Sequence, residues 1–491
     1  MYIDSMTAIE QGKLIKKGEI SAVELTKHYL DNIKKNDKNI NAYITVTEEK
    51  ALKKAEEVQK LIDSNSIDSP IAGVPMAIKD NIMTKDIYTT CASKMLEGFN
   101  PIYNSTVYDK LENSGAIILG KLNMDEFAMG GSTETSFFGP VRNPWDIERV
   151  SGGSSGGSAA AVSSMEAAYT LGSDTGGSIR QPCSFCGVSG IKPTYGSVSR
   201  YGLVAFASSL DQIGPIGKDI KDCAEILSII SGHDKKDSTS INMPKFDFSD
   251  CFESDNIKGM KIGIPINYLS KGIDDDVKNC ILNSADIFKK LGAQIFEFEM
   301  PDTDYAVAAY YIVACAEASS NLSRYDGIKY GYRSNKGEGL IDVFYNSRSE
   351  GFGMEVKRRI MLGSFVLSSG YYEAYYKKGL KTRAVIKNSF DSAFEKYDAI
   401  LSPIAPTAAF KIGENIKDPL KMYLGDIYTV SVNLAGIPAA SIPCGFTKDN
   451  LPVGVQIIGP TLSEKKIIKI CSAFQNNTDF HKRTCSIKEE K

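Results

Sequence analysis

Histidine is scarce in this 491-residue sequence, which contains only His28, His233 and His481. An imidazole is the usual base of serine hydrolases, so a histidine-based triad would have to use one of these three. His28 lies on the polar side of a helix that a capping box from Ser21 to Glu24 begins. The other two lie in polar or charged stretches. We therefore expect three surface histidines, and neither a histidine-based triad nor a multi-histidine metal site.

Three further features are absent: a charge excess, a long apolar run and a convincing metal-binding cysteine pattern. Lys and Arg number 57 against 60 Asp and Glu, which argues against a protein that grips nucleic acid by itself. No apolar run approaches the roughly 18 residues needed to cross a bilayer, and no leader segment is visible. Of the ten cysteines, only Cys183 and Cys186 have C-x-x-C spacing, a weak signal. We expect a cytoplasmic protein with free thiols and no bound metal.

Helical and strand patterns alternate along most of the chain. Residues 22–35 and 48–62 read as amphipathic helices, and a strand–helix–strand succession occupies 261–299. With 42% hydrophobic residues, the chain can bury a large core. The alternation predicts an α/β fold in which helices cover both faces of a sheet.

We predict one domain over residues 1–491. It begins with a helical segment at about 1–65 and has its core at about 70–230. The polar, turn-rich stretch at about 233–256 could be a linker. Because motif residues lie on both sides of it, we interpret it as a surface connection within the domain.

The most unusual segment, residues 151–178, is rich in serine and glycine and has three interpretations. A flexible linker is disfavoured, because a small-residue helix at 159–162 and a buried strand at 167–171 follow it closely. A non-enzymatic nucleotide-binding loop is disfavoured, because both the Gly-Lys-Ser/Thr ending and the three-glycine Rossmann spacing are missing. The third interpretation is a turn that presents a nucleophile.

In that third interpretation, Ser178 lies at a turn between a strand and a helix. The backbone N–H groups of Thr175, Gly176, Gly177 and Ser178 could then point at one developing oxyanion, since glycine permits a close approach. A serine hydroxyl also needs a base. With histidine disfavoured, Lys, Asp or Glu remains.

Five separated segments resemble the amidase signature family and occur in that family's order. They are GVPMAIKD at 73–80, SGGSSGGS at 151–158, GSDTGGSIR at 172–180, GVSGIKPTYG at 187–196 and LDQIG at 210–214. The resemblance implies a large mixed β-sheet covered by helices on both faces, and a Ser-cisSer-Lys triad that hydrolyses amides. Ser178 matches the nucleophile, Ser154 the bridging serine after a cis peptide bond, and Lys79 the base.

Lys79 decides whether this mechanism is possible. An ordinary lysine has a pKa of about 10.4, so a lysine base needs its pKa lowered. Lys79 follows an apolar run, where burial would disfavour the ammonium form, but an ion pair with Asp80 would act in the opposite direction. The residues alone leave both interpretations open, and the resemblance favours the base. Neutral Lys79 would take the Ser154 proton while Ser154 takes that of Ser178.

Segments outside the signature resemble the A-subunit family of glutamyl-tRNA(Gln)/aspartyl-tRNA(Asn) amidotransferases. The clearest cover residues 310–333 and 350–372, and further ones cover 423–443 and 451–459. The resemblance implies a glutaminase whose substrate is L-glutamine. The alternative is a stand-alone amidase that acts on another amide.

A glutamine pocket needs a cation for the substrate carboxylate and an anion for its ammonium. The resemblance implies Arg359 for the first role, with Arg358 as its rival, since an arginine fork can bind both oxygens. It implies Asp426 for the second role. The remaining implied contacts come from Tyr310 and from the turn Gly130, Gly131 and Ser132. The alternative for the charged residues is a helix-surface arginine and a helix-capping aspartate.

The resemblance also implies partners. The B and C subunits of the amidotransferase would complete a heterotrimer. The B-subunit would receive ammonia and use it in protein synthesis to amidate Glu-tRNA(Gln); whether it also amidates Asp-tRNA(Asn) is left open by the sequence. ATP, Mg²⁺ and most tRNA contacts would belong to the B-subunit, which leaves this chain without a cofactor. The slightly acidic composition agrees with that division.

Overall fold

Eleven strands form one mixed sheet in the computed structural model, which describes residues 3–270, 272–415 and 418–486. The strands are β1 Tyr43–Val46, β2 Pro75–Lys79, β3 Ile117–Leu122, β4 Arg142–Asn143, β5 Asp146–Val150, β6 Tyr169–Asp174, β7 Ser189–Lys192, β8 Gln212–Gly217, β9 Lys261–Pro265, β10 Gln294–Phe298, β11 Ala399–Pro403, β12 Ala439–Phe446 and β13 Pro452–Ile458. The helices are α1 Ala8–Lys16, α2 Ala22–Ile40, α3 Glu48–Asp63, α4 Thr106–Asn113, α5 Gly156–Ser163, α6 Arg180–Cys186, α7 Ile220–Ile230, α8 Asp275–Lys290, α9 Ala306–Asn321, α10 Leu340–Gly351, α11 Met354–Leu367, α12 Lys378–Phe394, α13 Pro419–Leu424, α14 Val430–Ala435 and α15 Glu464–Asn476.

The strand order in the large sheet is β1-β3-β2-β6-β8-β7-β12-β13-β11-β9-β10, and β4 pairs with β5 separately. Strand β2 runs parallel to both β3 and β6, whereas β6 runs antiparallel to β8. The sheet is therefore mixed, as expected. Because β2 and β6 are parallel neighbours, their carboxyl ends meet at the same edge of the sheet. This edge brings Lys79 close to the turn that follows Asp174.

The sheet separates two hydrophobic cores. Along β11, Ala399 and Leu401 pack into one core, whereas Ile400 between them packs into the other. Successive side chains of a strand point to opposite faces, so this alternation identifies a core on each face. Helices α8 and α15 contribute to the first core, and α9 and α12 to the second. The predicted α/β fold with both faces covered is confirmed.

Local sequence signals account for much of the helix placement. Helix α2 begins after a capping box formed by Ser21 and Glu24, and it continues to Ile40 before Asn41 adopts a left-handed conformation. It is therefore longer than the predicted 22–35. Within the described ranges, no helix is both long and apolar enough to cross a membrane.

The histidines differ partly from expectation. His233 is exposed, but His28 and His481 are partly buried. The Nε2 atom of His28 lies 2.7 Å from a carboxylate oxygen of Asp4, so this histidine tethers the N-terminal segment. The sequence pattern missed this contact because Asp4 precedes the helix that carries His28.

Candidate active site

Lys79, Ser154 and Ser178 come from three elements that meet at the edge of the sheet. Lys79 is the last residue of β2, Ser154 precedes α5, and Ser178 lies in the turn between β6 and α6. The Lys79 Nζ atom is 2.7 Å from Ser154 Oγ, and the Gly153–Ser154 peptide bond is cis. The backbone N–H of Ser155 donates to the carbonyl of Ser178 over 3.1 Å, which joins the second segment to the third. The structure thus brings the predicted triad together.

The Lys79 amine has three neutral hydrogen-bond partners. Besides Ser154, they are Ser155 Oγ at 2.9 Å and the Ser173 carbonyl at 3.3 Å. The Ser155 hydroxyl itself donates to that carbonyl, so its oxygen accepts from the lysine. When Lys79 is neutral, its two N–H groups match these two acceptors and its lone pair faces the Ser154 hydroxyl. Burial lowers the pKa of Lys79 to about 7, which makes the neutral amine accessible near neutral pH.

The second step of the relay is less complete. Ser178 is 8% exposed, and its hydroxyl has no hydrogen-bond partner among the described residues. The contact between Lys79 and Ser154 is therefore preformed, whereas the proton transfer from Ser178 to Ser154 needs a rotation of the Ser178 side chain. Catalytic hydrogen bonds are commonly looser in free enzymes than in substrate complexes.

A buried ion pair fixes the nucleophile turn. The Asp174 carboxylate pairs with the Arg180 guanidinium at 3.1 Å and accepts from the backbone N–H of Ile179 at 3.0 Å. Burial alone would raise the pKa of Asp174, but the Arg180 charge and these hydrogen bonds hold it below its usual range. Arg180 in turn bonds Gln456 and Asn433. The turn is thus tied to strand β13 and helix α14.

One of the four predicted oxyanion donors requires a correction. The Gly177 N–H donates to Asp174 Oδ1 at 2.8 Å, so it is not available to an oxyanion. The N–H groups of Thr175, Gly176 and Ser178 have no such partner among the described residues. These three remain the candidate donors. Gly177 is instead required by its backbone, because its φ of 138° lies in a region that favours glycine.

The serine-glycine loop is not a linker. Residues 151–158 are all buried, which contradicts the linker interpretation and leaves little of the loop open to a phosphate group. Gln181 holds this loop: its carboxamide oxygen accepts from the Gly153 N–H and its nitrogen donates to the Gly131 carbonyl, both over 2.9 Å. Sequence reasoning missed Gln181, although its position three residues after Ser178 was a usable signal.

The predicted pocket residues lie beside this turn. A Cβ atom added to Gly176 would lie 2.6 Å from the Tyr310 hydroxyl, so Tyr310 packs directly against the turn. A Cβ atom on Gly131 would lie 3.9 Å from Asp426 Oδ1. Ser132 is buried, and a Cβ atom on Gly130 would meet the Asp125 carboxylate. Gly131, Tyr310 and Asp426 therefore surround the candidate acyl site, with Gly130 and Ser132 close behind.

The structure distinguishes the two candidate arginines. The Arg358 side chain is 38% exposed, whereas that of Arg359 is 3% exposed. Arg359 donates through Nε to Glu355 Oε1 at 2.8 Å, and both its Nη atoms lack hydrogen-bond partners among the described residues. Since one Glu355 carboxylate serves both arginines, the cluster has a net positive charge. Arg359 therefore presents an unpaired fork, which favours it over its rival.

Tyr311 connects this cation to the candidate anion. Its ring lies under the Arg359 guanidinium, with the centroid 5.1 Å away, and its hydroxyl donates to Asp426 Oδ2 over 3.2 Å. Burial raises the pKa of Asp426 to about 7. Sequence reasoning missed both Tyr311 and Glu355, because their roles depend on contacts with distant segments.

Residues 24–468 match the family described as Amidase. The chain belongs to the amidase family. Among its relatives, the glutamyl-tRNA(Gln) amidotransferase A-subunit from Agathobacter rectalis is 56% identical over 484 residues, covering 99% of this chain and 96% of the relative. The protein of the same name from Caldanaerobacter subterraneus subsp. tengcongensis is 55% identical over 491 residues, covering 100% of both.

Solved structures agree with this placement of the amidase. The crystal structure of the glutamyl-tRNA(Gln) amidotransferase A-subunit from Thermotoga maritima has a TM-score of 0.82 and 42% identity, covering 100% of this chain and 99% of that one. Peptide amidase from Stenotrophomonas maltophilia also has a TM-score of 0.82, at 26% identity, covering 96% and 97%. The fold is therefore shared across amidases, while the higher identities fall on one branch.

Proposed function

We propose that this amidase is the glutaminase component of a tRNA-dependent amidotransferase. The observation that carries the proposal is the buried Lys79–Ser154 hydrogen bond beside the Ser178 turn, in a chain whose amidotransferase relatives match it along nearly its whole length. The first feature supports amide hydrolysis. The second supports glutamine as the amide.

The proposed reaction uses the relay in both directions. The Ser178 oxygen attacks the side-chain carbonyl carbon of glutamine, while its proton passes to Ser154 and the Ser154 proton passes to neutral Lys79. The oxyanion that forms is stabilised by the N–H groups of Thr175, Gly176 and Ser178. The carbon–nitrogen bond then breaks, and the proton returns through Ser154 to the departing ammonia. Water hydrolyses the resulting glutamyl ester of Ser178 by the same route.

The charges around the turn suit a zwitterionic substrate. The free fork of Arg359 would bind the α-carboxylate, and Asp426 beside Gly131 would bind the α-ammonium. A bound ammonium would keep the Asp426 carboxyl ionised, against the effect of its burial. Tyr310 would close the pocket over Gly176. A neutral amide without these two charges would leave both groups unpaired, so the pocket favours glutamine over simple amides.

We further propose that the amidase works in the cytoplasm, in a heterotrimer with the B and C subunits of the amidotransferase. The ammonia would be used by the B-subunit, which would also hold ATP, Mg²⁺ and most of the tRNA. The surface offers one supporting feature: large apolar side chains are exposed on α10 and α11. They include Leu340, Ile341, Tyr345, Met354 and Met361, each at least 61% exposed. Exposed apolar side chains concentrated in this way are typical of surfaces that bind partners.

Amidation assays test the proposal. The chain is assayed for glutamine hydrolysis and for glutamine-dependent amidation of Glu-tRNA(Gln) and Asp-tRNA(Asn), with and without the two partners. We expect weak glutaminase activity from the isolated chain, a rise when the partners and an aminoacyl-tRNA are present, and amidation of at least one tRNA. Full activity of the isolated chain on simple amides, with no glutamine preference, would instead identify a stand-alone amidase.

A further inference from the structure

A second fully buried lysine lies next to the catalytic one. Lys121 of β3 and Asp80, which directly follows Lys79, form an ion pair in which both side chains are inaccessible to solvent. The Lys121 Nζ atom is 3.4 Å from Asp80 Oδ1. The relay described above uses neither residue. A buried ion pair is costly to desolvate and is a weak source of stability, so its place beside a lysine base calls for a functional explanation.

The register of the strands puts this pair on the opposite face of the sheet from the Lys79 amine. Lys121 pairs with Ile78 and Leu122 with Lys79 in the parallel ladder between β2 and β3, and the Asp80 N–H donates to the Leu122 carbonyl. Side chains alternate between faces along a strand, so Lys121 shares a face with Ile78 and Asp80. Lys79 points the other way, toward Ser154.

The Asp80 carboxylate depends on Lys121. Its Oδ2 atom accepts from both the backbone N–H and the hydroxyl of Thr90. Its Oδ1 atom accepts no hydrogen bond from the described residues, and the Lys121 ammonium is its charged neighbour. Lys121 is further held by the Thr89 hydroxyl at 2.6 Å. Without Lys121, a buried carboxylate oxygen next to Lys79 would have no partner.

Three further carboxylates act on Lys79, and each has donors of its own. Asp174 has Arg180, Asp125 accepts from Thr133 and Thr135, and Asp211 accepts from Thr175 and from backbone N–H groups at 206 and 207. The remaining titratable neighbour is the buried Cys91 thiol, which lies near both lysines. Each of these three carboxylates is therefore satisfied without pairing to Lys79. Asp80 achieves this only through Lys121.

We propose that Lys121 is a positioning residue for amide hydrolysis, because its ammonium holds the Asp80 carboxylate away from Lys79 and leaves the Lys79 amine free to accept the Ser154 proton. The inference rests on the proposed hydrolytic function. It also resolves the ambiguity in the sequence, since Asp80 has an ion-pair partner other than Lys79.

The test compares three variants of the full-length chain: Lys121→Met, Asp80→Asn and the double variant. The readout is the pH dependence of two rates, glutamine hydrolysis and the labelling of Ser178 by a fluorophosphonate, which reacts with activated serines. In Lys121→Met, the lone Asp80 carboxylate should favour the Lys79 ammonium and move the acid limb of both profiles at least one pH unit upward. In Asp80→Asn, the uncompensated Lys121 ammonium should move it downward. The double variant should return it close to the parent profile.

Thr89→Val is the matched control. It removes a hydrogen bond from Lys121 without changing any charge, so it should lower stability and leave the acid limb in place. A folded Lys121→Met variant with an unmoved limb would overturn the proposal. If Lys121→Met does not fold, an Asp80→Asn limb that stays or rises, or a double variant that loses labelling at every pH, would overturn it as well. Labelling needs neither glutamine nor partners, so the proposed function could fail in its own assay while the labelling profiles still decide the role of Lys121.

Discussion

The two halves of the candidate site each contain a buried cation, and they treat it in opposite ways. Lys79, in the sheet, has only neutral hydrogen-bond partners, and burial lowers its pKa to about 7. Burial also disfavours the charged form of Arg359, in the helical layer, but Glu355 and the ring of Tyr311 prevail and hold its pKa above the usual value. Surroundings without a counter-ion make a base, whereas surroundings with one make a permanent anchor.

The difference extends to how each half is assembled. The partners of Lys79 lie in short motifs of the signature segments, so the chemistry is encoded locally. The partners of Arg359 come from α9, α11 and the segment that follows α13. Specificity therefore depends on how separate helices pack over one edge of the sheet. Substitutions in the first half should affect the chemical step, and those in the second half should affect substrate affinity.

The largest effect is expected in the sheet. Ser178→Ala should abolish formation of the glutamyl ester, and Lys79→Ala and Ser154→Ala should each lower kcat by at least ~10³-fold, because the three act as one relay. Rapid-quench trapping of the ester and steady-state glutaminase assays measure this. Ser158→Ala is the control, since this buried serine bonds the Leu171 carbonyl and not Lys79. Near-normal turnover in any of the three triad variants would contradict the mechanism.

The next largest effect is expected in the helical layer. Arg359→Ala should raise the KM for glutamine about 100-fold with a smaller change in kcat, because the buried substrate carboxylate would lose its partner. Arg359→Lys should recover only part of this loss, since a lysine cannot replace the fork. Arg358→Ala on the exposed side of the same helix is the control and should leave KM nearly unchanged. If the two alanine variants behave the other way round, the carboxylate ligand is Arg358.

These two halves also differ in how far the sequence could predict them. Lys79, Ser154 and Ser178 follow from short motifs that the family resemblance identifies. The choice between Arg358 and Arg359 does not, because adjacent residues on a helix point about 100° apart and only the packing tells which one faces inward. Tyr311 and Asp426 are 115 residues apart, so nothing local predicts their hydrogen bond.

The same limit applies inside the sheet. The sequence left open whether Asp80 pairs with Lys79, because the competing partner, Lys121, lies on the neighbouring strand and belongs to no motif that contains Asp80. The mixed sheet itself was predicted, since alternating helical and strand patterns and the family resemblance both point to it. The commitment of the Gly177 N–H to Asp174 was not, because it depends on the closed form of the turn.

A smaller, pH-dependent effect separates the two halves again. Burial sets the pKa of both Lys79 and Asp426 at about 7. Lys79 must be neutral to accept a proton, so kcat should fall toward tenfold per pH unit below pH 7. Asp426 must be ionised to bind the ammonium, so KM should rise over the same range. Asp426→Asn should raise KM at all pH values and abolish its rise in acid, and it should preserve the limb in kcat. Loss of the kcat limb in this variant would show that Asp426, and not Lys79, controls it.

The smallest effect concerns the junction between the halves. The Thr429 hydroxyl donates to the Gly176 carbonyl over 2.6 Å and so ties the segment that carries Asp426 to the nucleophile turn. Thr429→Val keeps the shape and removes one hydrogen bond worth about 1 kcal/mol, so kcat should fall about fivefold with little change in KM. Thr382→Val, which removes a hydroxyl bonded only within α12, is the control for steady-state kinetics. If Thr429→Val changed KM and left kcat intact, the hydrogen bond would serve the pocket rather than the turn, and the boundary between chemistry and specificity would have to be placed at Gly176.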